Sequence, residues 1–372
     1  MTAIKRILSS ESPSPVWPDI NEVLIYGAGH TGRVVAHALT ANGMRIRAFL
    51  DRSAQPGQTL NGIPILTPET ACDLLNIPVI IAVFNPNRSA RYTDIEHALR
   101  IIGFSTVTSL ERFHISRPSF LPDIYWLTAP AFYRQHEAEL HAVDALWADT
   151  RSRDLYHALL CFRLTGDETH LPDADPFEEQ YIPADITFPD IEHNFMDIGA
   201  FDGDTLEAFR TKGIRLNKVL AFEPDMANFT KLCHRVEKCG PYAKETILIP
   251  SGIGSACERL CFSDDASAGS SMNEVGGASI PVIAIDAAIT GFSPTYIKMD
   301  IEGAEESALN GMKQTILRDR PILAISAYHR PQDLFAFPLL LKVWGYNADF
   351  HLRLYAEHTL DTVLYAVPKI KQ

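Results

Sequence analysis

The sequence predicts an α/β protein of two Rossmann-like, doubly wound domains, the second closing on an antiparallel hairpin. Three observations carry this expectation. A strand, a glycine loop and a helix occur in that order twice, at Val23-Leu-Ile-Tyr26 with Gly27-Ala-Gly-His-Thr-Gly32 and at Phe195-Met-Asp-Ile198 with Gly199-Ala-Phe-Asp-Gly203. Each loop is followed by an acid at the end of the next strand, Asp51 lying 19 residues after Gly32 and Glu223 lying 20 after Gly203. Short apolar runs alternate with helix-spaced stretches on both sides of the chain's middle, the pattern of parallel sheets covered by helices.

The elements follow in order. The first 20 residues, with Ser9-Ser-Glu-Ser-Pro-Ser-Pro15, read as a flexible arm. Residues 21–116 form the first domain, with strands at Val23–Tyr26, Ile46–Leu50, Ile63–Leu66, Pro78–Phe84 and Ser105–Ser109. Its helices fall at Val34–Leu39 and at Thr93–Ile102, the latter stopped by Gly103. Residues 117–190 change character. Helical stretches at Ala131–Leu146 and Ser152–Leu164 precede a run containing Pro172, Pro176, Pro183 and Pro189. Their density of Trp, Tyr, Phe and Leu predicts a helical connector packed on the second domain rather than a free linker. Residues 191–372 resume the alternation, with strands at 195–199, 218–223, 245–250, 295–300 and 321–326, then two antiparallel strands near 346–353 and 361–367. Five parallel strands with a terminal hairpin describe a class I methyltransferase sheet.

Bulk composition limits the alternatives. Of 372 residues, 46% are hydrophobic and 21% charged, enough apolar material for two cores. The net charge of −13 disfavours a nucleic-acid partner or an anionic membrane surface. No run approaches the about 18 apolar residues of a membrane span. The six cysteines (Cys72, Cys161, Cys233, Cys239, Cys257, Cys261) form no CxxC pair. With no secretory apolar segment at the start, they read as reduced thiols of a cytoplasmic protein.

The loop at 197–205 carries the sharpest chemical signal. Gly199 and Gly203 let the backbone turn and approach a ligand, and Glu223 is placed to accept both hydroxyls of a ribose. The Asp-x-Gly-x-x-x-Gly spacing, with Asp197 inside the strand end, suits S-adenosylmethionine better than a pyrophosphate, because that cofactor has no phosphate and its cationic groups favour nearby acids. The plain alternative is a strand–turn–helix with a structural acid. Gly252, after the third strand, is expected at the adenine edge.

Taken in order, the motifs of the C-terminal half resemble those of the FkbM-type methyltransferases over roughly residues 145–368. They are Phe195-Met-Asp-Ile-Gly-Ala-Phe-Asp-Gly-Asp-Thr205, Ala221-Phe-Glu-Pro224, Tyr296-Ile-Lys-Met-Asp-Ile-Glu-Gly-Ala-Glu305, Ala327-Tyr-His-Arg-Pro-Gln-Asp333 and Leu352-Arg-Leu-Tyr355 before Thr362-Val-Leu-Tyr365. The segment Thr150–Asp185, with Tyr156, Arg163 and Tyr181, resembles an extension of bacterial members. The chain departs from the family at Leu354 and Ala287. The resemblance implies an S-adenosylmethionine-dependent O-methyltransferase with a sugar, polysaccharide or glycosylated metabolite as acceptor. Asp197, Gly199, Ala200, Gly203, Glu223, Pro224 and Gly252 would then bind the cofactor.

On the acceptor side, Asp300 ends the fourth strand and Glu302 follows on the turn, so both are candidate site acids; an ion pair of Asp300 with Lys298 and a helix-end acid at Glu302 are the structural alternatives. His329, beyond the fifth strand, is the third catalytic candidate, a general base of near-neutral pKa. Arg353 would bind an acceptor anion or pair with an acid, and Ser267–Ser271 would cover the acceptor or form a surface loop. No cluster has metal-ligand spacing, so no metal is expected. The first domain resembles nucleotide- or sugar-nucleotide-binding Rossmann domains that precede sugar-modifying transferases. There Gly27, Gly29, Gly32 and Asp51 form a second candidate site, for a nucleotide or nucleotide-sugar, with a purely structural role as the alternative. Two competing functions remain open at this level, an NAD(P)-dependent oxidoreductase using that loop and a non-catalytic nucleotide-sugar-binding protein. Homo-oligomerisation is also left open.

Overall fold

A computed structural model describes residues 2–10, 21–83, 91–262, 272–273 and 279–369. The chain divides into two units. The first comprises 1–141 with 154–174 and 356–360, and the second 142–153, 175–355 and 361–372. The connector at 117–190 therefore does not pack as one piece: residues 142–153 and those from 175 onward belong to the second unit, the rest to the first. Of the expected amino-terminal arm, residues 11–20 lie outside the described residues, and residues 2–10 differ from expectation. Ala3–Leu8 forms a helix, α1, capped by Thr2, with Ile4 and Leu8 buried; two apolar residues at i and i+4 share one helix face, and their burial holds it.

In the first unit a six-stranded sheet has the order β3-β4-β2-β1-β5-β6, with β1 Glu22–Tyr26, β2 Arg45–Leu50, β3 Thr59–Leu60, β4 Ile63–Leu66, β5 Val79–Ile81 and β6 Val107–Ser109. All neighbours are parallel except the β3–β4 edge pair. Helices α2 (His30–Ala41), α3 (Tyr92–Ile102) and α4 (Leu110–Ser116) follow β1, β5 and β6. The β1 run is apolar on both faces because both are covered, and Leu24, Tyr26, Ala48, Leu50, Val79 and Ile81 pack into one core. The predicted helix at 131–146 is two, α5 Pro130–Gln135 and α6 Glu137–Asp144, and α7 spans Thr150–Thr165.

The second unit is built on a seven-stranded sheet of order β16-β17-β15-β14-β7-β8-β9. Its strands are β7 His193–Ile198, β8 Leu216–Phe222, β9 Ala243–Ile249, β14 Tyr296–Met299, β15 Ile322–Ser326, β16 Ala348–Leu354 and β17 Thr362–Pro368. The five strands β15 to β9 in that order are parallel, and β17 and β16 run antiparallel at one edge. Between β9 and β14 the chain adds a small sheet that sequence patterning missed, of order β10-β13-β11-β12, with β10 Gly252–Ile253, β11 Glu258–Phe262, β12 Met272–Asn273 and β13 Ser279–Ile283. The loop Ser267–Ser271 lies outside the described residues. Helices α8 (Asp204–Thr211), α9 (Met226–Cys239), α10 (Ile285–Ala288), α11 (Glu305–Gly311), α12 (Lys313–Asp319) and α13 (Asp333–Val343) complete the unit. Strand order reverses between β7 and β14, which places a crevice at their carboxyl ends, where open parallel sheets bind ligands. Among the described residues no helix is long and apolar enough to cross a membrane.

Candidate active site at the carboxyl edge of the second sheet

β7 ends in Asp197-Ile198 and turns at Gly199, whose φ is +83°. A Cβ built on Gly199 would stand 1.9 Å from the carbonyl oxygen of Asp300, so only glycine lets this loop lie against the end of β14. The loop folds back through Gly203 N–H to Ala200 O at 2.8 Å and opens α8. Phe201, inside the turn, holds a φ of +48° and leaves half its surface in solvent. Such a conformation is uncommon for a bulky residue and occurs where surrounding structure imposes it.

Glu223 follows β8 and is buried. One carboxylate oxygen accepts the Phe201 N–H and the other the Asp225 N–H, each at 2.8 Å. Burial raises its pKa to about 6, against the pull of these two donors. With one backbone donor on each oxygen, the carboxylate keeps lone pairs for two hydroxyl donors. Pro224 follows it, before the Asp225 cap of α9. Gly252 lies buried in β10, paired in parallel with Val282.

Asp197 is fully buried at the end of β7. Lys298, one strand over in register, brings its ammonium to 3.2 Å from Asp197 Oδ1 and donates to the Gly199 carbonyl. Burial pushes Asp197 up to about 6, and Lys298 offsets part of that cost. Burial works against the Lys298 charge, yet Asp197, Asp300 and Asp204 outweigh it and raise its pKa. Lys298 is thus an internal cation that fixes the glycine loop.

The acceptor-side candidates converge. Asp300 Oδ2 accepts the Tyr181 hydroxyl at 2.9 Å, while Oδ1 stands 3.4 Å from His329 Nε2. Desolvation would raise the Asp300 pKa, but His329, Lys298 and Tyr181 lower it on balance, so Asp300 is ionised. Glu302 sits on the following turn at φ +54°, its Oε2 3.6 Å from His329 Nε2, with 39% of its side chain exposed. Partial desolvation, then the Asp300, Glu305 and Asp361 charges, raise its pKa to about 7 against the pull of His329; solvent on its open side makes that an upper value.

His329 differs from the near-neutral base that its position suggested. Its side chain is 1% exposed, and Nδ1 lies 2.8 Å from Oε1 of Glu305, a fully buried residue. Burial alone would lower the imidazole pKa, but Glu305, Asp300 and Glu302 raise it to about 10. It is therefore a held cation rather than a free base at neutral pH.

Sequence reasoning missed Glu305, Tyr181 and Asp361 as site residues. Tyr181 holds a φ of +68°, its N–H donates to Tyr365 Oη at 3.1 Å, and Tyr296 donates to its carbonyl. Asp361, raised by burial to about 6, accepts from Gln180 at 3.3 Å and Tyr328 at 3.4 Å. Glu305 and Tyr181 fall within the stretches that resemble the family, whereas Asp361 stands just before the last of them, at the start of the predicted closing strand. Arg353, a candidate anion binder, is 1% exposed and committed to Asp185 at 2.8 Å, Asp149 at 3.0 Å and the Ser152 hydroxyl. The acid-pairing alternative describes it.

In the first unit, a Cβ on Gly32 would meet the Gly27 carbonyl oxygen at 2.0 Å, and one on Gly27 would meet Val83 at 2.8 Å. Gly29 faces nothing within 4 Å. Asp51 ends β2; its Oδ1 accepts the Ser53 N–H and hydroxyl and its Oδ2 the Ala28 N–H at 3.4 Å, bonds that lower its pKa against burial. The residues of this unit also include Ala356–Leu360, where the His358 ring lies 3.7 Å from that of Tyr92. Tyr92 donates to buried Glu111 at 2.7 Å.

A parallel sheet with reversed strand order, a glycine loop locked to the strand beside it and acids on both sides of the crevice together form a candidate ligand site. Comparison with known proteins narrows the class. Residues 197–353 match the family model of the methyltransferase FkbM domain, and residues 22–92 match that of the PglD N-terminal domain. The first of these matches lies in the second unit and the other in the first unit. The chain is similar in fold to methyltransferase FkbM from Methylobacillus flagellatus KT, at 22% identity and a TM-score of 0.74, covering 98% of this chain and 93% of that one. A precorrin-6y C5,15-methyltransferase from Geobacter metallireducens GS-15 aligns at 11% identity over 49% of this chain and 82% of its own, with a TM-score of 0.30. Precorrin 8w decarboxylase from Methanobacterium thermoautotrophicum aligns at 13% over 54% and 93%, with a TM-score of 0.32. No curated protein matches the chain.

Proposed function

We propose that the second unit transfers the methyl group of S-adenosylmethionine to a hydroxyl of a sugar, polysaccharide or glycosylated metabolite. The observation that carries this reading is the pairing of Glu223, with acceptor capacity left on both oxygens, and the glycine loop that donates to it. A ribose diol fits that carboxylate. When bound, the cofactor supplies a methyl group already activated on a sulfonium. The protein then has to align acceptor and methyl and exclude water.

In this reading Glu302 is the proton acceptor for the acceptor hydroxyl. Its raised pKa and open side suit a group that must lose a proton before each turnover and meet substrate. Asp300, fixed by Tyr181 and facing His329, would supply negative charge at the carboxyl end of β14 on the acceptor side. His329 is a positioning cation, locked by Glu305.

For the first unit we infer nucleotide or nucleotide-sugar binding. Gly27 and Gly32 are glycines for packing, whereas Gly29 has open space before it, as a loop that receives a ligand requires. Titration with a nucleoside diphosphate sugar and, in parallel, with reduced nicotinamide nucleotide separates this from the oxidoreductase alternative. Methyl transfer itself is tested by incubating the purified chain with methyl-labelled S-adenosylmethionine and a carbohydrate fraction. Label is expected in alkali-stable carbohydrate, as an ether. Label confined to protein, or to base-labile esters, contradicts the hydroxyl acceptor.

A further inference from the structure

The carboxyl edge of the second sheet continues past Asp300 and Glu302. β15 pairs with β14, Met299 opposite Ile325, and β17 enters the same edge beside the end of β15, Ser326 opposite Val363. Asp361 lies two residues before Val363. It therefore stands two strands from Asp300, about 10 Å along the edge. Glu223 and the glycine loop occupy the opposite flank, at the ends of β8 and β7. A ligand that reaches Asp361 lies on the acceptor side of Asp300.

Asp361 is anchored there. Its backbone carbonyl accepts the Tyr355 N–H at 3.2 Å, and its Oδ1 accepts from Gln180 and Tyr328. The Gln180 amide also donates to Tyr181 Oη at 3.2 Å, and Tyr181 donates to Asp300, so one chain of hydrogen bonds joins the two acids. Burial, then the Asp300 charge, raise the Asp361 pKa to about 6, so it is mainly a carboxylate at neutral pH. Two oxygens of this chain are left over. Among the described residues neither Asp361 Oδ2 nor Gln180 Oε1 accepts a hydrogen bond, although Gln180 is only 7% exposed. A buried amide carbonyl without a donor is costly, and a native fold that keeps one offers it to a donor from outside the protein.

We propose that Asp361 Oδ2 and Gln180 Oε1 accept hydrogen bonds from two non-reacting hydroxyls of an uncharged sugar acceptor, and so fix its ring while Glu302 faces the reacting hydroxyl. The inference rests on the hydroxyl-methylation reading above and names the residues that select the acceptor. Both open atoms are acceptors, so the ligand has to supply donors, and each sugar hydroxyl supplies one. A uronic acid or a phosphate would instead bring like charge beside Asp300, Glu302 and Asp361. Lys298 and Arg353 are already paired with acids.

The test is saturation-transfer NMR on the full chain with S-adenosylhomocysteine present. The probes are methyl glucoside, methyl galactoside, methyl mannoside and methyl rhamnoside, with methyl glucuronide as the charged control. At least one neutral glycoside should receive saturation, and the glucuronide none. Asp361→Ala should weaken that binding about tenfold or more and Gln180→Ala about threefold or more, each variant first shown to be folded by circular dichroism. No saturation of any neutral glycoside by the folded wild-type chain overturns the proposal, as does binding of the glucuronide alone. Affinity unmoved by both substitutions overturns it too, even where carbohydrate is methylated. A glycoside that binds through both residues but takes no label from methyl-labelled S-adenosylmethionine supports this subsite and contradicts only the methyl-transfer reading.

Discussion

Glu302 and His329 stand 3.6 Å apart, yet their environments drive them to different duties. Glu302 reaches solvent and has a pKa raised to about 7, so it changes charge near neutrality. If it accepts the acceptor's proton, kcat falls as pH drops through that value. Glu302→Gln should then lower kcat by about 10²- to 10⁴-fold, with little change in S-adenosylhomocysteine affinity. An unchanged kcat would return Glu302 to the role of a turn residue. His329 behaves in the opposite sense. Its pKa is raised from 6.5 to about 10, so its contribution to stability is fully present below the unfolded value and is lost as pH rises through about 10. Its ring resonances should stay flat between about pH 6 and 8 in a histidine NMR titration, where an ordinary histidine moves. A midpoint in that window would restore the free base expected from position alone. Sequence could place both residues at the sheet edge. It could not supply Glu305, whose approach to His329 depends on how the turn after β14 folds against the loop after β15.

At the scale of elements, alternation located the strands because each is apolar and bounded by turn residues, and all seven strands of the second sheet fall within a few residues of their expected places. The small sheet β10-β13-β11-β12 was not legible. Two of its strands have two residues each, too few for a period, and its register depends on long-range pairing such as Leu260 with Ile280. Helix α1 was missed because six residues flanked by Ser and Pro give a weak pattern, and its burial comes from packing. The glycine loops illustrate what local chemistry does decide. Gly32→Ala should destabilise the first unit because its Cβ would overlap the Gly27 carbonyl, whereas Gly29→Ala meets open space. Thermal melts of the two variants should therefore differ, the first losing several degrees and the second staying near wild type. If Gly29→Ala keeps its melting point but loses nucleotide binding, the loop is a ligand loop; loss of neither points to a structural turn.

For the whole molecule, sequence indicated two α/β units but not their boundaries. Residues 142–153 belong to the second unit because Trp147 pairs beside Phe350 and Asp149 meets Arg353 and His351. Arg353 is the anchor of this arrangement. Arg353→Ala leaves Asp149 and Asp185 without their shared cation, and should cost stability toward the lower end of about 3–5 kcal/mol, since both acids are partly exposed. Urea unfolding should report this loss while S-adenosylhomocysteine affinity holds. Weakened cofactor binding without loss of stability would make Arg353 a ligand-binding residue instead.

Isothermal titration of the full chain with S-adenosylhomocysteine tests whether Glu223 and the Gly199–Gly203 loop hold S-adenosylmethionine. One site per chain is expected, with Glu223→Ala losing about 1.5–3 kcal/mol of binding, the range for hydrogen bonds to a charged group, while the variant remains folded. No heat of binding to the folded wild-type chain, or equal affinity in Glu223→Ala, would contradict it.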